Sequence, residues 1–423
     1  MNKEFFPDGT PIDDWFYQTE TPQLSALGKP YSFQDYGILP NGEMQTEKIQ
    51  GLIDKAAAEG GGVIIVPKGV YCTGALFFKQ GVNLYIEKDG VLLGSDDIAD
   101  YPVLPTRIEG ESCLYFSALI NVDSVDGFVM CGKGTIDGNG MRSWRAFWIR
   151  RQWNPDCTNK DEQRPRLVYI SNSQNVLVSG LLFKNSQFWT NHIYKCRKVK
   201  YIDCEVYAQR APVPPPSTDG LDVDVCEDVL VKNCRFELND DGIALKGGKG
   251  PWADTLPENG GNQRILIEDC VFGPCCSVVT CGSESVYNRN ILIRRIKVDG
   301  PWNVLWLKMR PDTPQRYEYI TVEQVEGNIS NFLLVRPWTQ FFDLKGRKEI
   351  PLSYAENVIM RDCNCCCEVW FNVERDDTQY LLSGIHMQNL QIETTERNGL
   401  TEENRCVLTV ENVFVNGEEI LNN

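Results

Sequence analysis

No run of about 18 apolar residues occurs in this 423-residue chain, so no segment reads as a membrane span. The opening residues, Met1-Asn2-Lys3-Glu4-Phe5-Phe6-Pro7, lack an apolar leader core. If Met1 is the native start, a cytoplasmic location is expected. If a signal peptide has been removed, the location is periplasmic or secreted. Basic residues are outnumbered: Lys plus Arg total 42 against 58 Asp plus Glu, a formal net charge of −16. A nucleic-acid binder needs a basic face to release phosphate counterions, so that class is excluded. Adhesion to anionic lipid is excluded on the same ground. An anionic substrate is not, because a local cationic pocket can override the global field.

What the chain does have is apolar material and thiols. Hydrophobic residues make up 42% and charged residues 24%, enough for a large core and too apolar for disorder. Seventeen cysteines are present. Disulfide frameworks belong to short secreted chains, so reduced, buried thiols are expected here. Cys363, Cys365, Cys366 and Cys367 lack the two-residue gap of paired zinc ligands and read as strand thiols facing inward.

One short pattern recurs: a few β-prone residues, a polar pair, then an apolar residue or Cys. The closing residues are Leu181, Cys204, Cys234, Cys270, Ile296, Val325, Cys363 and Leu390, spaced 23, 30, 36, 26, 29, 38 and 27 apart. A fixed unit with variable loops fits better than separate domains. Units of this length match one turn of a parallel β-coil, in which stacking supplies the core. Cys204, Cys234, Cys270 and Cys363 then share one place in their rungs. Ile49, Leu52, Ile53, Ala56 and Ala57 follow helical spacing, and Gly60-Gly61-Gly62 stops the helix. The expected layout is one domain over 1–423. Residues 1–45 form an irregular arm over a capping helix at 46–62, and rungs fill 63–415.

Two acidic sets lie about one rung apart. Ser217-Thr218-Asp219-Gly220-Leu221-Asp222-Val223-Asp224 is followed by Asn239-Asp240-Asp241-Gly242. Stacked rungs sit about 4.8 Å apart, so the sets can meet on one face. Clustered carboxyls repel, which raises at least one pKa, and a protonated–ionised pair is what glycoside hydrolysis requires. Asp-Gly is also an ordinary turn pair, and for Asp240-Asp241-Gly242 alone that reading would win.

With these motifs the sequence resembles the polygalacturonase-like enzymes of glycoside hydrolase family 28. The resemblance also runs through Phe33–Gly37, Gly60–Pro67, Gly69–Gly74, Leu92–Ser95, Gly134–Gly138, Phe188-Trp189-x-x-His192 and Cys281–Glu284. It implies an all-β fold, a single-stranded right-handed parallel β-helix with an N-terminal capping helix. It implies inverting hydrolysis of a pectic saccharide without cofactor or metal. Asp240 falls on the family's general acid, and Asp219 and Asp241 on the carboxylates that position and deprotonate water. Lys308, Trp306, His192, Glu284 and Arg310 are the expected substrate-binding residues. His192 lies near the cleft without acid or base duty, and Trp302 is a further candidate surface for sugar.

The sequence departs from the family in its recognition residues. Ser217 stands where the family has Asn. The region 273–282 lacks the family's Gly-His-Gly, and the chain's two histidines are His192 and His386. Trp306-Leu307-Lys308 replaces Arg-Ile-Lys, exchanging a guanidinium for an apolar face, either packed in the core or turned to sugar. Arg310 reads as a substitute charge or as a solvated loop arginine. Plain homogalacturonan is therefore not the expected substrate; rhamnogalacturonan or a decorated oligosaccharide fits better. Two other readings are a pectic lyase, with Ca²⁺ on Asp219, Asp222, Asp224 and Asp241, and a non-catalytic carbohydrate-binding β-helix.

Overall fold

The recurring polar residue is a backbone corner. Gly180, Asp203, Asn233, Asp269, Arg295, Gln324, Asp362 and Asn389 all have φ between 51° and 74°. Left-handed backbone costs an ordinary L-residue about 1–2 kcal/mol, and Gly, Asn and Asp tolerate it best. The pattern therefore marks where each turn of chain must bend. Corner side chains also ladder: Asn389 Nδ2 donates to Asp362 Oδ1 at 2.9 Å, and Asn412 Nδ2 to Asn389 Oδ1 at 2.9 Å. After each corner the chain points inward, so Cys204, Cys234, Cys270, Ile296, Val325, Cys363 and Leu390 form one buried column.

The computed structural model describes residues 3–422. Twenty-nine strands join into one hydrogen-bonded sheet, parallel except for the closing pair Leu408–Val415 and Glu418–Glu419. The sheet coils as a right-handed parallel β-helix around a continuous core from Tyr31 to Val415. Cys363, Cys365 and Cys367 are buried while Cys366 is half-buried, the alternation of a strand. All seventeen cysteines are free thiols. Among the described residues no helix is long and apolar enough to cross a membrane. The expectation that turns on Met1 lies outside the described residues.

The helix Thr46–Ala58 buries Ile49, Leu52, Ile53 and Ala56 against the first rungs and caps the coil. It ends earlier than position 62. Gly60 takes φ 97°, the Gly61 amide donates to the Ala56 carbonyl at 2.8 Å, and Gly62 already begins the strand Gly62–Val66. At Gly61 a Cβ would come 2.5 Å from the Gly81 carbonyl oxygen, so no side chain fits.

The N-terminal arm differs from expectation. Only its second half meets the cap, where Lys29 Nζ lies 2.6 Å from Glu59 and the Tyr31 hydroxyl donates to Glu59 at 2.8 Å; the first half runs elsewhere. Phe6, Ile12 and Phe16 pack on Leu230, Leu266 and Leu292, on the outside of middle rungs. Ion pairs Arg294–Glu4 (2.8 Å) and Arg289–Asp8 (3.1 Å) fasten the same flank. Residues Pro30–Ser32 then join the sheet beside Gly62–Val66. The outward apolar residues of those rungs need a cover, and the aromatic arm supplies it. Between the rungs, the antiparallel hairpin Val103–Ile108 with Glu111–Phe116 and the helix Met141–Trp153 are inserted. Both stand over the face that carries the acidic motifs.

Candidate active site

Four neighbouring parallel strands form the floor: Leu221–Asp224, Asp241–Lys246, Ser277–Cys281 and Asn303–Met309. Their register aligns Asp222 with Ala244, Thr280 and Trp306, and Asp224 with Lys246. The turn before the first strand is locked to the next rung, because the Gly220 amide donates to the Asp241 carbonyl at 2.9 Å. A Cβ at Gly220 would fall 2.5 Å from the Gly242 carbonyl oxygen, so this glycine serves a close approach and not a generic turn.

A cavity of about 290 Å³ opens on this floor. Asp219, Asp240, Asp241, Lys246, Glu284 and Lys308 line it, with Trp189, Trp302, Trp306 and Trp338 around them. Asp240 is half-buried and Asp241 almost wholly enclosed. Burial pushes the Asp240 carboxyl up to about 6, and the neighbouring Asp241 charge adds to the rise. Burial alone would raise Asp241 too, but its partners win and hold it below the usual carboxylate range. Lys308 Nζ donates to its Oδ2 at 2.8 Å, while Ser277 and Thr280 hydroxyls each donate to its Oδ1 at 2.7 Å. The Lys308 ammonium also sits 4.2 Å from the Trp306 ring and 4.8 Å from the Trp338 ring.

Beneath this pair lies a second group. Asp222 is fully buried, and neither carboxyl oxygen receives a donor among the described residues. Burial pushes it up to about 8. Asp219 is raised as well, by burial and then by Asp240 and Asp222. Such a pair retains one proton between its members. Lys246 Nζ serves the group from 3.3 Å at Glu284, 3.6 Å at Asp222 and 3.8 Å at Asp219. Burial opposes the charge of this lysine, yet these carboxylates hold its pKa well above the ordinary value. Glu284 is held well below the carboxylate range, its burial outweighed by Lys246 and Arg310.

The sequence profile of glycosyl hydrolases family 28 matches residues 105–328, more than half of the chain and the part that holds most of this cavity's lining. The chain belongs to glycosyl hydrolase family 28. A "Probable polygalacturonase" of Vitis vinifera is 27% identical over 277 residues, 63% of this chain and 54% of that protein. An "Exo-poly-alpha-D-galacturonosidase" of Dickeya chrysanthemi is 33% identical over 293 residues, 63% of this chain and 44% of that protein. The chain therefore spans about half the length of these two relatives. In fold, an exopolygalacturonase from Thermotoga maritima superposes with a TM-score of 0.70 at 20% identity, covering 96% of this chain and 95% of that one.

Within this family 28 site, most of the residues singled out from sequence come together. Asp219, Asp240, Asp241, Glu284, Lys308, Trp306 and Trp302 all line the cavity. Two do not. His192 is fully buried below it, accepting at Nδ1 from Arg166 Nη1 (2.7 Å) and facing Asp224 with Nε2 (3.4 Å). Burial lowers its pKa to about 4, so it is a neutral structural imidazole and not a substrate ligand. Arg310 is neither a substrate ligand nor a solvated loop residue. It is fully buried, paired bidentately with Asp312 at 2.8 and 2.7 Å, and backs Glu284 from 3.8 Å. Its distance from Glu284 reflects a role behind the wall of the cavity. Asp224 is drawn away from the cavity by Arg107 Nε at 2.7 Å.

Several lining residues escaped the sequence reading, among them Lys246, Trp338, Glu109, Phe147 and Arg151. Lys246 could have been found, since it stands one rung beyond Asp224 and in period-two step with Ala244. Trp338 and Glu109 arrive from loops and carry no local signal. Asp240, Asp241 and Cys276 approach closely enough to hold a cation. The Lys308 ammonium on Asp241 already supplies positive charge there.

Proposed function

We propose that the protein hydrolyses an O-glycosyl bond of a pectic oligo- or polysaccharide, of galacturonan or rhamnogalacturonan type, with inversion at the anomeric carbon. The observation that carries this reading is the split ionisation of adjacent carboxyls. Asp240 is half-buried and keeps its proton up to about pH 6, while Asp241 is held ionised by Lys308. Asp240 gives its proton to the glycosidic oxygen as the C–O bond breaks. Asp219 and Asp241 orient water on the opposite face and take its proton. Burial raises both Asp219 and Asp222, and the two share one retained proton as a pair.

The substrate is not plain homogalacturonan. Each cation lining the cavity already faces a carboxylate: Lys308 faces Asp241, Lys246 faces Glu284, and Arg151 Nε lies 3.2 Å from Glu162. The tryptophans instead present apolar faces suited to the C–H side of a sugar ring. A product screen over pectic oligosaccharides, read by mass and by anomeric configuration at early times, tests the reading. Release of a product with inverted configuration is expected. Retained configuration would overturn the mechanism, and a preference for unmodified polygalacturonate would overturn the substrate.

A further inference from the structure

A larger cavity, about 820 Å³, lies beside the catalytic one on the N-terminal side of the same face. No residue lines both. The hairpin divides them. Its tip residue Glu109 faces the catalytic cavity, and Gly110 abuts Gly248 so closely that a Cβ there would fall 2.8 Å from the Gly248 carbonyl carbon. Its stem residues Leu104, Arg107 and Leu114 wall the larger cavity. Across it stand Tyr169, Tyr194 and Arg166.

The two arginines are the unusual feature. Each is about 1% exposed. Arg107 uses only Nε, on Asp224, and both its Nη atoms lack a partner among the described residues. Arg166 meets no carboxylate. Its nitrogens reach the Arg107 carbonyl, the Thr106 hydroxyl and neutral His192, and its Nε has no partner. Burying a guanidinium without a counter-charge is costly unless something else supplies the charge. Asp123, at another wall, is already satisfied by Ser171, Asn172 and Ser124 hydrogen bonds and stays clear of both arginines. The guanidinium planes lie against tyrosine rings, Arg166 3.9 Å from the centroid of Tyr169 and Arg107 4.8 Å from that of Tyr194. Stacked, rigid forks with free donors suit a planar carboxylate. The flanking rings suit the apolar face of a pyranose.

We propose that this cavity is a second sugar site, separate from the catalytic one, that recognises the carboxylate of a uronate through Arg107 and Arg166. The choice of a pectic uronate rests on the function proposed above; the geometry asks for a carboxylate-bearing sugar. The catalytic cavity has its cations engaged, while this one has donors to spare.

Crystals soaked in D-galacturonate, with calorimetry on D-galacturonate and D-galactose, test it. The expected result is a sugar under the hairpin with its carboxylate on the Arg107 Nη atoms. Galacturonate should bind there about 10-fold or more tighter than galactose, as hydrogen bonds to a charged group imply. Leu114→Asp places a repelling charge on an exposed lip residue, 69% accessible, and spares the core. It should cut galacturonate affinity about 10-fold while leaving hydrolysis of the best pectic substrate unchanged. Arg166→Met, checked by circular dichroism, should abolish the site. An empty cavity, equal affinity for the two sugars, or unaltered affinity in Leu114→Asp would overturn the proposal. Hydrolysis assayed on the same preparation separates this failure from a failure of the catalytic reading.

Discussion

Asp240 and Asp222 are both buried carboxyls with raised pKa values, yet they serve different ends. Asp240 borders the cavity, so its proton can be spent. As pH rises through about 6 its protonated fraction falls, and kcat/KM should fall with it. Asp240→Asn should remove that alkaline limb and lower turnover by ~10²–10⁴-fold on natural glycosides, while a substrate with an activated leaving group keeps most of its rate. A pH–rate profile with both substrates checks this, and near-wild-type turnover of natural glycosides would refute the assignment. Asp222 does not line the cavity and shares its proton with Asp219. Its folded pKa of about 8 exceeds that of the unfolded chain, so the native state binds more protons and stability declines as pH rises toward 8. His192, lowered to about 4 from 6.5, acts in the opposite sense but only below about pH 6.5. The decline from about 6.5 to 8 therefore belongs to the Asp219–Asp222 pair. Asp222→Asn should flatten it, as thermal unfolding across that range would reveal; an unchanged slope would place the proton elsewhere.

At the scale of elements, the rung corner and the tryptophan wall respond to different substitutions. Asn233 holds φ 54° at a corner. Asn233→Val should cost about 1–2 kcal/mol, whereas Asn233→Gly should cost far less, in denaturant titrations of both. Equal losses would assign the corner's worth to its side chain and not to its backbone. These corners were legible in the amino-acid sequence as a recurring polar position, and six of the eight carry the Gly, Asn or Asp that tolerates left-handed backbone, while Arg295 and Gln324 do not. Trp306 was only half legible. Its strand position was clear, but whether it entered the core or bordered the cavity depended on Lys308 and Trp338, which it meets edge-on at a centroid distance of 5.4 Å. Trp306→Arg restores a fork for carboxylate recognition. It should raise kcat/KM for polygalacturonate relative to the best other pectic substrate by about 10-fold, in competition assays. No change in that ratio would show that this wall does not select the substrate.

The whole molecule is a charged rod whose field opposes part of its proposed substrate. With a net charge of −16, it repels a polyanionic chain at long range. The Debye length shortens from about 30 Å at 0.01 M salt to about 10 Å at 0.1 M. KM for a long uronate polymer should therefore fall as salt rises over that range, with KM for a neutral oligosaccharide unchanged; steady-state kinetics at the two ionic strengths check it. The amino-acid sequence by itself determined the coil, its corners, its capping helix and the meeting of Asp219 with Asp240 and Asp241. These follow from local backbone preference and from a repeat that brings residues one rung apart into register. Only the tertiary structure decided which charges face one another. Lys308 reaches Asp241 across 67 residues, and Arg107 reaches Asp224 across 117, through an inserted hairpin with no counterpart in the repeat. It likewise laid the aromatic arm along the middle rungs, where outward-facing leucines needed cover. Such pairings depend on where loops of irregular length come to rest, which no periodicity encodes.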